Sequence, residues 1–131
     1  SLYESEGTEG EIVVSLVDLV KVFQQVLERR REVSRVELQH EQFTVAQMIA
    51  QLRAQLMASE EGVRLVEFFE ACVVRHAMIA AFLAVLEMVR LQAVVLEQAQ
   101  LFGEIVLKKH KMFDAVFSVE EPMTKIDEQY Q

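Results

Sequence analysis

One proline and four glycines in 131 residues leave little of the punctuation that an all-β chain needs, so helices should dominate. A single cysteine cannot close an internal disulfide, which fits a reducing cytosol. Positive charge is in short supply. Thirteen basic against 21 acidic residues leave a formal charge of −8, and a chain so acidic repels phosphate. Nucleic-acid binding by counterion release is therefore a poor expectation. The longest apolar runs are broken by Glu67, Arg75 and Glu87, well short of a bilayer span, so no membrane partner is expected. No signal peptide opens the chain, which begins at Ser1 without an initiator Met and reads as a piece of something longer. What remains is a globular balance, 52% apolar and 26% charged, enough for one domain and a helical appendage.

Residues 1–10 are polar and acidic with two glycines, and 1–14 are expected to form a flexible arm. From Ser15, an N-cap candidate, Leu16, Leu19, Val20, Phe23, Val26 and Leu27 fall on one face of an amphipathic helix. Arg29, Arg30 and Arg31 close it, where cations complement the helix dipole. Around Val33 to Leu38 neither face is clearly apolar, which leaves a short strand or an extended linker. Thr44 and Gln47 match a capping box for a second helix with a stripe of Val45, Met48, Ile49, Leu52 and Leu56. Val63 to Leu65 is a short apolar bridge, followed by a brief helix near Glu67 to Cys72.

A long helix from about Arg75 to Arg90 carries Ile79, Phe82, Leu86 and Val89 as the expected core stripe. Its other side, Ala77, Ala81, Ala84 and Met88, is also apolar, so the helix should be covered nearly all round. The period then changes to alternation over Val94–Gln98 and Glu104–Leu107, a β-hairpin with Gly103 supplying backbone freedom near its turn. Residues 110–131 form a tail, partly disordered, in which Met112, Phe113, Val116 and Phe117 have the spacing of one or two helical turns before Pro122. The fold class is mainly α with a small β-hairpin. Helix, short bridge, helix, long helix and hairpin is the order of a winged helix-turn-helix, here over 44–109 and preceded by an amphipathic helix and linker at 15–43.

Catalytic chemistry finds no support. His40, His76 and His110 are far apart and lack second ligands at helical spacing, so no metal site is expected. His76 is expected near the start of the long helix, close to solvent or to glutamates. Cys72 sits among apolar neighbours and reads as a core cysteine, not a nucleophile. The glycines at 7, 10, 62 and 103 are too scattered for a phosphate loop, so no cofactor is expected and the chain is read as no enzyme. A winged-helix transcription regulator that binds DNA is the alternative reading. Such a module needs a basic recognition helix and wing, whereas residues 44–109 carry six basic and seven acidic residues.

Three stretches taken in order are distinctive: Phe82-Leu83-Ala84-Val85-Leu86-Glu87-Met88-Val89, then Val94-Val95-Leu96-Glu97-Gln98, then Phe102-Gly103-Glu104-Ile105-Val106-Leu107. They resemble the C-terminal signature of the bacterial kleisin family ScpA, segregation and condensation protein A. Ser15 to Leu27 is similar to that family's helix before its winged domain, and Phe43 to Met48 to the entry into that domain. The likeness runs from about Glu11 to Lys109. The family's N-terminal helical domain is missing, so the chain would be a C-terminal half, and Met88 stands where Leu is usual. The tail after Lys109 matches no family pattern.

The resemblance implies a non-catalytic, cytoplasmic and nucleoid-associated subunit of the chromosome-organising SMC–ScpA–ScpB complex. Its winged domain is expected to dock on the SMC ATPase head and help close the ring, without sequence-specific contact to nucleic acid. Candidate head contacts are Leu101 and Phe102 at the wing, Val95 and Val106 on the hairpin, and Leu83 and Arg90 on the long helix. Phe102, Leu83 and Val106 could equally be core, and Arg90 a solvated helix-end cation; Ile79, Phe82 and Leu86 are assigned to the core. Leu16, Val20, Phe23 and Leu27 are the candidates for a ScpB dimer contact, incomplete in this chain, or for pairing with a second copy in a homodimer.

Overall fold

A computed structural model of the chain describes residues 14–29 and 43–118. The elements are α1 (Leu16–Arg29), α2 (Val45–Ala58), β1 (Val63–Arg64), α3 (Leu65–Glu70), α4 (Arg75–Arg90), β2 (Val94–Gln98), β3 (Ile105–Lys109) and α5 (Phe113–Phe117). The fold is thus mainly α with a small antiparallel sheet, as the sequence led us to expect. Its third strand, β1, is the short apolar bridge. The arm (all but Val14), Arg30 and Arg31, the stretch at 33–38, His40 and the tail beyond Ser118 lie outside the described residues.

Local chemistry sets the helix ends. Ser15 Oγ accepts the backbone N–H of Asp18 at 3.2 Å, while Asp18 Oδ2 accepts the backbone N–H of Ser15 at 3.0 Å. Thr44 and Gln47 close the same reciprocal box on α2, at 3.0 and 2.9 Å. Each box satisfies two donors that a helix start otherwise leaves unpaired. At the far end of α4, Ala93 N–H donates to Met88 O at 2.8 Å and Gln92 N–H to Val89 O at 3.0 Å. This is a Schellman ending, and it puts Gln92 at φ +64° in the left-handed region that glycine prefers.

The sheet order is β1-β3-β2, with β3 central. Its register pairs Val94 with Lys109, Leu96 with Leu107 and Gln98 with Ile105. Val63 pairs with Leu107. Alternation therefore puts Val63, Val94, Ile105 and Leu107 on the buried face, and Arg64, Val95, Val106 and Lys108 on the other. Gly62, at φ +94°, lets β1 come this close: a Cβ there would lie 2.6 Å from the Leu107 carbonyl oxygen.

The core is built from Ile49, Leu52 and Leu56 of α2, Leu65 and Phe69 of α3, and the inner side of α4. That inner side is not the expected stripe. Ala77, Met78, Ala80, Ala81, Ala84, Val85 and Met88 are buried, Phe82 and Leu86 are half-buried, and Ile79 and Val89 are exposed. The assignment of Ile79 to the core is therefore corrected. Alanine lets two helix backbones approach where a branched side chain would hold them apart. Ala77 shares a cavity wall with Met48 and Gln51 of α2, and Ala81, Ala84 and Met88 continue its line along the helix. The large residues Ile79 and Leu83 are turned outward as a result.

Helix α1 packs on α3 and α4 of its own chain. Leu19 and Val26 are buried, and the Phe23 ring meets Phe69 edge-on at 5.5 Å and Phe82 at 4.7 Å. Arg29 adds an ion pair to Glu70 at 3.2 Å. Beyond β3, α5 buries Phe113 and Phe117, with the Arg53 guanidinium 4.9 Å above the Phe117 ring.

Two substitutions test this account in urea or thermal unfolding. Ala81→Leu, which forces a larger side chain into the α4 seam, is expected to cost about 2 kcal/mol or more. Gln92→Gly is expected to add about 1 kcal/mol by removing the left-handed strain.

Candidate functional site

The hairpin of β2 and β3 ends in a tip over residues 99–104. Gly103 N–H donates to Gln100 O at 2.8 Å, and Gln98 Nε2 donates to Gly103 O at 2.8 Å, which pins the tip onto its own strand. The left-handed residue of the turn is Phe102, at φ +64°. Gly103 is required by close approach: a Cβ there would stand 2.9 Å from the Gln100 carbonyl oxygen. Phe102 is 92% exposed and Leu101 65% exposed. Of the two readings open for Phe102, closing the core or facing out, the structure takes the second.

Behind the tip, on the solvent face of the sheet, lies an open groove of about 610 Å³ lined by Glu61, Glu97, Gln100, Glu104, Val106 and Lys108. Its charges are largely matched within the chain. Lys108 pairs with Glu97 at 3.5 Å. Arg64 pairs with both Glu67 and Glu104, tying the hairpin to β1 and α3. Its hydrogen bond and charge attraction to Glu104, then the charge of Glu67, hold its pKa above the ordinary arginine value. All three partners are exposed, so the clamp fixes position more than it adds stability.

Val95 and Val106 are half-buried on the solvent face of this hairpin, and Leu101 and Phe102 crown its tip, so the fold brings these four onto one element. Leu83, 44% exposed, and Arg90, paired with Glu87 at 3.0 Å, lie apart on α4. On α1, Leu16 is exposed and Val20 half-buried, whereas Phe23 and Leu27 are half-buried and pack against the core. Sequence reasoning passed over Ile79, Val17, Val73 and Met57, all exposed apolar residues. The signal for Ile79 was present in the alanine row on the opposite side of its helix.

A second, apolar cavity of about 350 Å³ is lined by Phe43, Met48, Phe68, Cys72, Val73 and Ala77, among others. Cys72 is buried there, as the sequence led us to expect, with its Sγ 3.7 Å from the Phe68 carbonyl oxygen. His76 stands at the start of α4, half-buried, with its ring 5.4 Å from that of Phe43. His110 Nδ1 accepts the Met112 N–H at 2.9 Å. Among the described residues no three His, Cys, Asp or Glu side chains are placed to share a metal ion, and no helix is long and apolar enough to cross a membrane. The arrangement is one of exposed apolar side chains on rigid supports, the chemistry of a protein-docking surface.

Comparison with known proteins agrees with the resemblance. The family model described as Segregation and condensation protein ScpA matches residues 4–109. Segregation and condensation protein A of Streptococcus pyogenes serotype M1 is 30% identical over 100 residues, covering 74% of this chain and 42% of that protein. The protein of the same name from serotype M5, strain Manfredo, is 29% identical over the same coverage. No solved structure gave a significant match. The chain belongs to the ScpA family, and it spans about two-fifths of the length of these curated relatives.

The strained hairpin tip is testable by itself. Phe102→Gly is expected to stabilise the domain by about 1 kcal/mol in denaturant unfolding, because the side chain buries almost nothing and its backbone sits where glycine is favoured.

Proposed function

We propose that this member of the segregation and condensation protein A family is a non-catalytic, kleisin-type subunit of an SMC–ScpA–ScpB chromosome condensation and segregation complex. Residues 44–109 act as a winged-helix domain that docks on the ATPase head of an SMC subunit and helps close the ring. Residues 15–43 are the end of the kleisin central region, where a ScpB dimer meets Leu16 and the uncovered edges of Val20, Phe23 and Leu27. The complex works in the cytoplasm, on the nucleoid.

The order α2-β1-α3-α4-β2-β3, with a sheet ordered β1-β3-β2, supports the winged-helix reading. The observation that carries the docking role is the wing tip. An aromatic ring held 92% exposed on a left-handed backbone costs stability and gains nothing inside the domain. Such strain is retained where a partner covers the side chain. Hydrogen bonds at Gln98 and Gly103, with the Arg64 clamp, hold the tip in place before binding, which lowers the ordering cost of association. A DNA regulator would need Arg, Lys, Asn or Gln along the outer face of α4. That face displays Ile79 and Leu83.

Calorimetric titration of the chain into the cognate SMC ATPase head tests the proposal. Saturable binding is expected, and Leu101→Glu with Phe102→Glu, shown to be folded by circular dichroism, should weaken it by about 2 kcal/mol or more. Absence of binding by the folded wild-type chain would overturn the head-docking role. Binding that the double variant keeps would remove the wing from the interface.

A further inference from the structure

The apolar residues that α1 leaves uncovered crowd into its first half. Leu16 is 56% and Val17 60% exposed, and Val20 is half-buried. At helical spacing these three are neighbours on one surface. In an extended segment side chains alternate, and Val17 would point away from the other two. The patch therefore exists only while α1 is helical.

Helix α1 is poorly equipped to hold that shape alone. It has 14 residues, and four of them are valines, at 17, 20, 22 and 26. Branching at Cβ lowers helix propensity, and so short a helix is marginal in water even with better residues. Its shape is supplied by the rest of the domain. Leu19 and Val26 are buried, and Val22, Phe23 and Leu27 pack against the core. The Phe23 ring lies 5.5 Å from Phe69 of α3 and 4.7 Å from Phe82 of α4. Those two rings are themselves 6.4 Å apart, so Phe23 rests on a joint aromatic seat. Arg29 ties the far end of α1 to Glu70. Phe69 is fully buried, beyond the reach of any partner.

We infer that Phe69 and Phe82 are positioning residues for the partner contact of α1: acting through Phe23, they keep α1 helical and so present Leu16, Val17 and Val20 as one apolar surface. This role rests on the reading that a ScpB dimer meets the uncovered side of α1. It adds that α1 binds while packed on α3 and α4, and not as a released helix. Ordering the helix before the encounter lowers the cost of association. A released helix would instead offer its buried stripe, Leu19, Phe23 and Val26, and packing would then compete with the partner. Loosening the packing weakens binding in the first case and strengthens it in the second. The sign of the response decides between them.

The test combines calorimetric titration of the full chain into the cognate ScpB dimer with hydrogen exchange of the free chain. The variants are Phe69→Leu, Phe82→Ala and Phe82→Tyr, each shown to be folded by circular dichroism. In Phe69→Leu and Phe82→Ala the α1 amides are expected to exchange about tenfold faster or more. Affinity for ScpB should fall about tenfold, although neither Phe69 nor Phe82 belongs to the contact. Amides of the β2–β3 hairpin should keep wild-type protection, which separates loss of α1 packing from general loss of stability. Phe82→Tyr keeps the ring and should restore both α1 protection and affinity. Unchanged or tighter binding by variants whose α1 exchanges faster would overturn the positioning role and leave the ScpB contact standing. Wild-type α1 amides that exchange as freely as an unfolded chain would overturn it too. A wild-type chain with protected α1 amides and no ScpB binding would overturn the contact itself, and the positioning role with it.

Discussion

Everything exposed on this domain depends on how close α4 lies to the core. Its inner side is paved with Ala77, Ala80, Ala81 and Ala84 between Met78, Val85 and Met88, all buried. Small side chains bring the helix backbone near its neighbours, and the core is completed by large residues from elsewhere, notably Ile49, Leu52 and Phe69. With the alanines inside, Ile79 and Leu83 have nowhere to go but outward. An apolar outer helix face is thus the geometric consequence of a tight inner one. The burial of seven α4 residues offsets the exposure of three, Ile79, Leu83 and Val89.

The hairpin shows a second kind of constraint. Its strands are fixed by register, with Val94, Leu96, Ile105 and Leu107 directed to the core side, so the opposite face and the tip are left for other uses. Gly62 and Gly103 are each demanded by a carbonyl oxygen that a Cβ would strike. Phe102, by contrast, occupies a backbone state that favours glycine and buries almost none of its ring. Local stability would choose another residue at that position. Arg64 ties the same tip to β1 and α3 through exposed ion pairs, whose value lies in orientation. The fold therefore leaves Leu101 and Phe102 exposed at the hairpin tip, and Ile79 and Leu83 exposed on the outer side of α4.

Much of this was legible in the sequence, because it follows from local chemistry. The capping pairs Ser15–Asp18 and Thr44–Gln47, the change of period after Leu91 and the turns of helix around Phe113 each leave a signature within a few residues. So does the family likeness, which rests on an ordered set of short motifs. The phase of α4 was not legible in the same way. Apolar residues lie all round that helix, and a 3.6-residue period fits both the Ile79–Phe82–Leu86 side and the Ala77–Ala81–Ala84 side. Hydrophobicity favours the first, and close packing chose the second. Likewise, the turn residues at 99–104 announce a hairpin without saying that Phe102 takes a left-handed position. The sequence by itself determined the helices, the hairpin and the family, since those depend on neighbours along the chain. Only the tertiary structure decided which apolar residues face solvent, because that depends on how closely distant segments pack.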